Sequence, residues 1–239
     1  MIYSSIDILV AAVIRGYSGF GFSMIAVICL SIVMPPVEVV PVILVLEVVA
    51  SAWLIPQAWR QIHWKSISWL SLGVLLGTPV GVYLLAHIAT KSMRIAIAVV
   101  VFSLALILLR GFVLLTVPGR FKIMMTGLVS GILNGAATIG GPPVILFYLS
   151  TPIKIAVSRA SMIAFFLVTD IYAIMLCVNQ GLVTTATGKI CAATLIPLIL
   201  GLRIGKHFFS HSKAEVFRRK VLFLLMALAL TALVRSIWV

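Results

Sequence analysis

Apolar runs recur along nearly the whole chain, each long enough to cross the roughly 30 Å hydrocarbon core of a bilayer as a helix of about 20 residues. Six stretches have this length: Val39–Ala58, Ile67–Ala89, Ile95–Leu115, Ile155–Val178, Thr185–Leu202 and Val221–Ile237. With 63% hydrophobic residues over 239, the chain exceeds the roughly 45–50% that soluble domains carry. Backbone polar groups in lipid must be satisfied within each spanning segment. The fold class is therefore an all-α polytopic membrane protein.

Two further apolar segments, Ile2–Met34 and Phe121–Leu149, are longer than one crossing needs and are broken near their middles by "GYSGFGFS" and "NGAATIGGPP". Backbone freed by such a break cannot face lipid, so each break is buried in protein or lines a watery cavity. Pieces of about 13 residues rise roughly 20 Å, which reaches past the midplane and no farther. Two geometries fit, an interrupted crossing and a re-entrant hairpin. Leaving out Arg15, treating all eight segments as crossings splits the Lys and Arg residues seven against ten, whereas two hairpins collect thirteen on one side and leave four on the other. The second split is the asymmetry that membrane insertion favours. It implies six full crossings, two opposed hairpins and both termini outside. The first apolar segment lacks a basic n-region and a small-residue cleavage site, so it is expected to be retained.

The chain also looks duplicated, with a first repeat over residues 1–115 and a second over 116–239. "GYSGFGFSMIAVICLSIVMPP" aligns with "GILNGAATIGGPPVILFYLSTP", which sets Gly19 on Gly135 and Pro36 on Pro152 in a register of 116. Later in each half, Gly77 and Gly81 fall on Gly201 and Gly205, and Arg94 on Arg218, in a register of 124. Each half then holds one glycine-broken helix pair and three spanning helices, and the hairpin topology makes the halves inverted repeats, a common plan for transporters. The Gly77 and Gly81 pair is read as a close helix contact.

Pro142 directly after Gly140 and Gly141 suits the first turn of a helix, where a missing N–H costs nothing. Helices starting there and after Gly21 would aim free N–H groups and positive dipole ends at the middle of the protein. That arrangement makes an anion site. Its candidate residues are Arg15, Ser18, Gly19, Gly21, Ser23, Asn134, Gly135, Thr138, Gly140, Gly141 and Pro142. The competing reading is that the glycines only permit close packing. Arg15 sits beside the first break, and a charge at that depth marks function by default. It is a counter-charge for the anion, a partner of Glu47 or Asp170, or a cap on the carbonyls of the half-helix. Glu47 and Asp170 are the acids well inside spans, read either as proton-coupling groups or as buried partners of Arg15, Arg159 or Lys189.

Several classes of function are disfavoured. The net charge of +13 falls in connections between spans, as positive-inside placement expects, and does not call for nucleic acid. Cys29, Cys177 and Cys191 are isolated, and His63, His87, His207 and His211 form no ligand pair, so no metal is expected. Without a GxxxxGK[ST] loop there is no ATP site, and no cofactor is required.

Together the glycine-rich "GYSGFGFSMIAV", the segment "SGILNGAATIGGPPVILFYL" and the duplicated four-segment halves resemble the sulfite exporter TauE/SafE family over nearly the whole chain. The first break departs from the family's run of three adjacent glycines by interspersing Ser18, Phe20 and Phe22, which bears on the substrate. The resemblance implies a transporter in the cytoplasmic (inner) membrane for sulfite, thiosulfate, or sulfonates such as sulfoacetate, often directed outward and open to proton coupling. Its partners would be the small anion and the bilayer, with oligomeric state, including a homodimer, left open. The alternatives are an anion channel built on the same donors and a membrane-embedded enzyme. The latter would need a nucleophile beside a base, or a metal cluster, inside a span.

Overall fold

A computed structural model describes residues 2–109, 118–151 and 153–209. The expected span Val221–Ile237, the repeat landmarks Pro152 and Arg218, and the junction between the two repeats lie outside the described residues. Those that are described form helices and no strand: α1 (Ile2–Ser18), α2 (Phe22–Val33), α3 (Pro36–Ala58), α4 (Trp64–His87), α5 (Thr90–Leu109), α6 (Arg120–Ala137), α7 (Gly141–Ser150), α8 (Ile155–Asn179) and α9 (Thr185–Phe209), with a short 3-10 turn at Trp59–Gln61. Among them α3, α4, α8 and α9 are long and apolar enough to cross a membrane. The expected spans match these helices to within a few residues, and α5 begins at Thr90, five residues before the expected start.

Contacts fix the directions of neighbouring helices. Cys191 on α9 lies 3.7 Å from the carbonyl oxygen of Val42 on α3, and the Arg203 guanidinium lies 5.4 Å from the Trp53 ring centroid, so α3 and α9 run the same way. Likewise α1 follows α9, with Gly201 against Leu9 and Gly205 against Val13 and Tyr17. But α2 opposes α3, since only Met34 and Pro35 separate them and the Ser23 amide reaches back to Glu47 at 3.1 Å. Helices α1 and α2 therefore fold back on one another. The second half repeats the pattern. Helix α6 follows α4, with Gly73 against Met124 and Gly81 against Ile132, and α4 follows α8, because the His63 amide donates to Ser161 Oγ at 2.9 Å and Tyr172 OH donates to the Leu75 carbonyl at 3.3 Å. As Gly141 packs beside Phe166 and Tyr148 beside Ser158, α7 opposes α8 and so folds back on α6.

Small residues set the two tightest helix pairs. A β-carbon on Gly73, Gly77 or Gly81 of α4 would run into backbone of α6, and one on Gly205 of α9 into the Val13 carbonyl of α1. Close backbone approach of this kind is how helices associate where lipid removes the hydrophobic drive. The partners cross the halves: α4 of the first packs on α6 of the second, and α9 of the second on α1 of the first. Opposite the glycine face of α4, Leu72, Leu75, Leu76, Val80 and Tyr83 are exposed, as are Ile196, Leu200, Ile204 and Phe208 on α9. These are the faces lipid would cover.

The spacing of the breaks corrects the expected register. Helices end at Ser18 and Ala137 and restart at Phe22 and Gly141, and both pairs are 119 apart, not 116. Gly16 and Gly135, expected in the breaks, are helical. Gly16 packs on the Leu202 carbonyl and Gly135 on the Thr78 carbonyl, so both serve close helix contacts.

Candidate anion site at the helix tips

Each turn between paired helices is built by its own polar groups. In the first, Gly19 and Gly21 adopt positive φ of 80° and 92°, which glycine reaches without steric cost. Ser18 Oγ accepts from the Phe20 amide at 3.3 Å and lies 2.7 Å from the carbonyls of Ile14 and Phe20. Its hydroxyl is thus committed to the turn. In the second, Thr138 caps α6 at φ 57°, a left-handed conformation that costs a branched residue about 1–2 kcal/mol, and its hydroxyl donates to the Ala137 carbonyl. The amides of Thr138 and Ile139 close the helix on Asn134 and Leu133, while Ser130 Oγ donates to the Gly140 carbonyl at 2.6 Å.

Between the turns lies a buried polar cluster. The Arg15 guanidinium, 1% exposed, pairs with Glu47 at 2.7 Å, donates to Ser51 Oγ at 2.7 Å, and sits 5.1 Å from the Phe166 ring centroid. Of the roles left open for Arg15, partnership with Glu47 is the one this structure displays. Glu47 Oε1 also accepts from the Ser23 amide in the first turn of α2, so a carboxylate occupies that positive helix end. On the other side Asn134 Nδ2 donates to Asp170 Oδ1 at 2.8 Å, and Asp170 Oδ2 is buried with no hydrogen-bond partner among the described residues. Asp170 is close enough to interact with both Glu47 and Arg15.

Positions 119 apart make parallel contacts. Arg15 to Ser51 matches Asn134 to Asp170, each donor three residues before its helix ends and each pair 36 residues apart. Ser23 falls on Pro142 and Glu47 on Phe166. The Ser23 amide meets the Glu47 carboxylate, whereas Pro142 has no N–H to offer and the Phe166 ring lies beside its neighbour Gly141. Pro142 and Pro143 strip two donors from the first turn of α7, leaving the amides of Gly140 and Gly141. The expectation of a full fan of donors at both helix starts is reduced accordingly.

Two further participants stand outside the candidate residues expected from the sequence. Ser51 is one serine in an apolar run. Arg159, counted there among the charges of a connection, lies in the second turn of α8, donates to the Gly16 carbonyl at 2.8 Å, and lays its side chain against Gly19. Phe166 meets Arg15 from one turn and Gly141 from the other. Gly135 stands apart, on the α4 interface.

The chain is 25% identical over 197 residues to "Probable sulfite/organosulfonate exporter TauE" of Cupriavidus necator, an alignment covering 80% of this chain and 77% of that protein. No solved structure matches the chain. Residues 6–232 match the family described as "Sulfite exporter TauE/SafE", and the chain belongs to that family of membrane transporters.

Proposed function

We propose that the protein is a secondary transporter that exports a small sulfur-containing anion, such as sulfite, thiosulfate or an organosulfonate like sulfoacetate, across the cytoplasmic membrane. The observation that carries this reading is the buried cluster at the turns, where the start of α2 already holds a carboxylate beside Arg15. A site that holds one oxyanion through a backbone amide and a guanidinium has the chemistry to hold another. The groups left for it are the first-turn amides of α2 that Glu47 does not take, the Gly140 and Gly141 amides, Asn134 and Arg15. The sulfur anion and the outward direction come from the name of the relative.

In this reading residues 1–115 and 116–239 are inverted repeats, and the paired helices α1–α2 and α6–α7 are re-entrant hairpins. The helix directions support it: α1 follows α3 while α6 follows α4, and α3 and α4 are consecutive crossings. The hairpins then enter from opposite leaflets and meet at the midplane, where the two halves rock about the bound anion.

Thermal unfolding of the purified protein in detergent, with and without sulfite, thiosulfate, sulfoacetate, sulfate or chloride, tests the site. At about 100 times Kd a ligand of the native state adds ~2.7 kcal/mol. The expected result is a raised midpoint with at least one sulfur anion, lost in both Arg15→Ala and Asn134→Ala. No shift with any anion, or a shift that survives both substitutions, contradicts the reading.

A further inference from the structure

We propose that Asp170 is the proton-binding group of the transport cycle, and that the anion and one proton bind to the same state and cross together; this rests on the anion site proposed above. The equivalence of the halves separates the two acids. Glu47 has a guanidinium at 2.7 Å and a backbone amide at 3.1 Å, so its charge is compensated where it stands. Asp170 occupies the position equivalent to Ser51, a neutral group, and its partner Asn134 occupies the position equivalent to Arg15. One half therefore donates from a cation to a hydroxyl, and the other from an amide to a carboxylate. Asp170 Oδ2, buried and without a partner among the described residues, is the atom to which the proton adds.

The surroundings supply no second cation to Asp170. Across from it α3 presents Glu47 and α1 presents Arg15, which that glutamate already engages. From α6 comes the neutral Asn134, Arg120 and Lys122 being exposed at the far end. Helix α7 contributes Tyr148, which is bonded to Ser66 Oγ, and on α4 Lys65, Tyr83 and His87 are exposed. On α8 itself, Arg159 lies three turns away at the Gly16 carbonyl. With Arg159, which lies within electrostatic reach of Arg15, the charges of Arg15, Glu47 and Asp170 sum to zero when both acids are ionised, and to one positive when Asp170 carries a proton. An anion entering the cluster is held more tightly in the second state than in the first, because charges interact strongly in a water-poor interior. Glu47, paired in both states, is a positioning residue for Arg15.

The test titrates anion affinity by calorimetry between about pH 6 and 8, using thiosulfate and sulfoacetate, whose own charge is constant there because a carboxylate titrates near pH 4. In the wild type, affinity is expected to weaken about tenfold per pH unit above the point where Asp170 releases its proton, since one proton is linked to each anion. Runs in two buffers of different ionisation enthalpy should show one proton taken up per anion. Asp170→Asn should bind with the wild type's low-pH affinity at every pH, and Glu47→Gln should keep the slope. Affinity that is flat with pH in the wild type, or a slope that persists in Asp170→Asn, overturns the assignment while leaving the anion site standing. Absence of binding by either anion at every pH overturns the site itself. The wild-type proton count decides the matter even if Asp170→Asn does not fold.

Discussion

Arg15 and Glu47 form an ion pair that is almost wholly out of water, and such a pair contributes little net stability while being costly to split. Glu47→Ala, which leaves a buried guanidinium uncompensated and frees the Ser23 amide, is expected to destabilise the protein by about 3–5 kcal/mol. The double substitution Arg15→Met with Glu47→Leu should restore most of that loss yet abolish the midpoint shift produced by anions. Thermal unfolding of the two variants, with and without anion, checks both halves of the statement. At this scale the sequence was partly legible. An arginine beside a glycine break, with two acids in neighbouring spans, named the participants, and Glu47 was among the partners foreseen. The contribution of Ser51 was not legible, because a serine in an apolar run carries no signal until its partner is known. Arg159 was named as a possible partner of the two acids, and its bond to the Gly16 carbonyl was not legible, because no sequence pattern tells which carbonyl a basic residue near a helix start will reach.

Elements were legible through length and hydropathy, which placed α3, α4 and α8 to within three residues and α9 except for its last seven. Their partners were not. The small-residue spacing on α4 and α9 announced close contacts, but a glycine stripe says nothing about which helix lies against it, and the answer was a helix of the other half in both cases. The spacing of the two turns, 119 and not 116, escaped the sequence for a related reason. Aligning Gly19 with Gly135 matched identity, whereas the second turn uses Thr138 at the position equivalent to Gly19, a left-handed residue that is not glycine. Substituting Gly77→Ala would press a methyl group on the Leu128 carbonyl, and Gly205→Ala on that of Val13. Each is expected to cost about 1–3 kcal/mol by overpacking, and the pair, on separate interfaces, should add. Chemical unfolding of the single and double variants measures this. Substituting Gly181→Ala, where nothing lies within 4 Å but φ is +69°, gives a comparison in which only backbone strain of about 1 kcal/mol is at stake.

For the whole molecule the account requires two hairpins entering from opposite leaflets, and charge placement then puts the N-terminus outside. A tag on the N-terminus is expected to be accessible to an impermeant label in intact cells, and an engineered cysteine at exposed Arg60, in the short connection between α3 and α4, should react only after permeabilisation. The reverse pattern would overturn the orientation.

Counterflow in proteoliposomes shows whether a sulfur anion is carried at the meeting point of the two turns. Vesicles loaded with unlabelled sulfoacetate or thiosulfate and diluted into a trace of the labelled anion should accumulate label transiently above equilibrium. Vesicles bearing Arg15→Met with Glu47→Leu should not. Flux without overshoot would describe a channel instead of a carrier, and overshoot that survives the double substitution would move the site away from the turns.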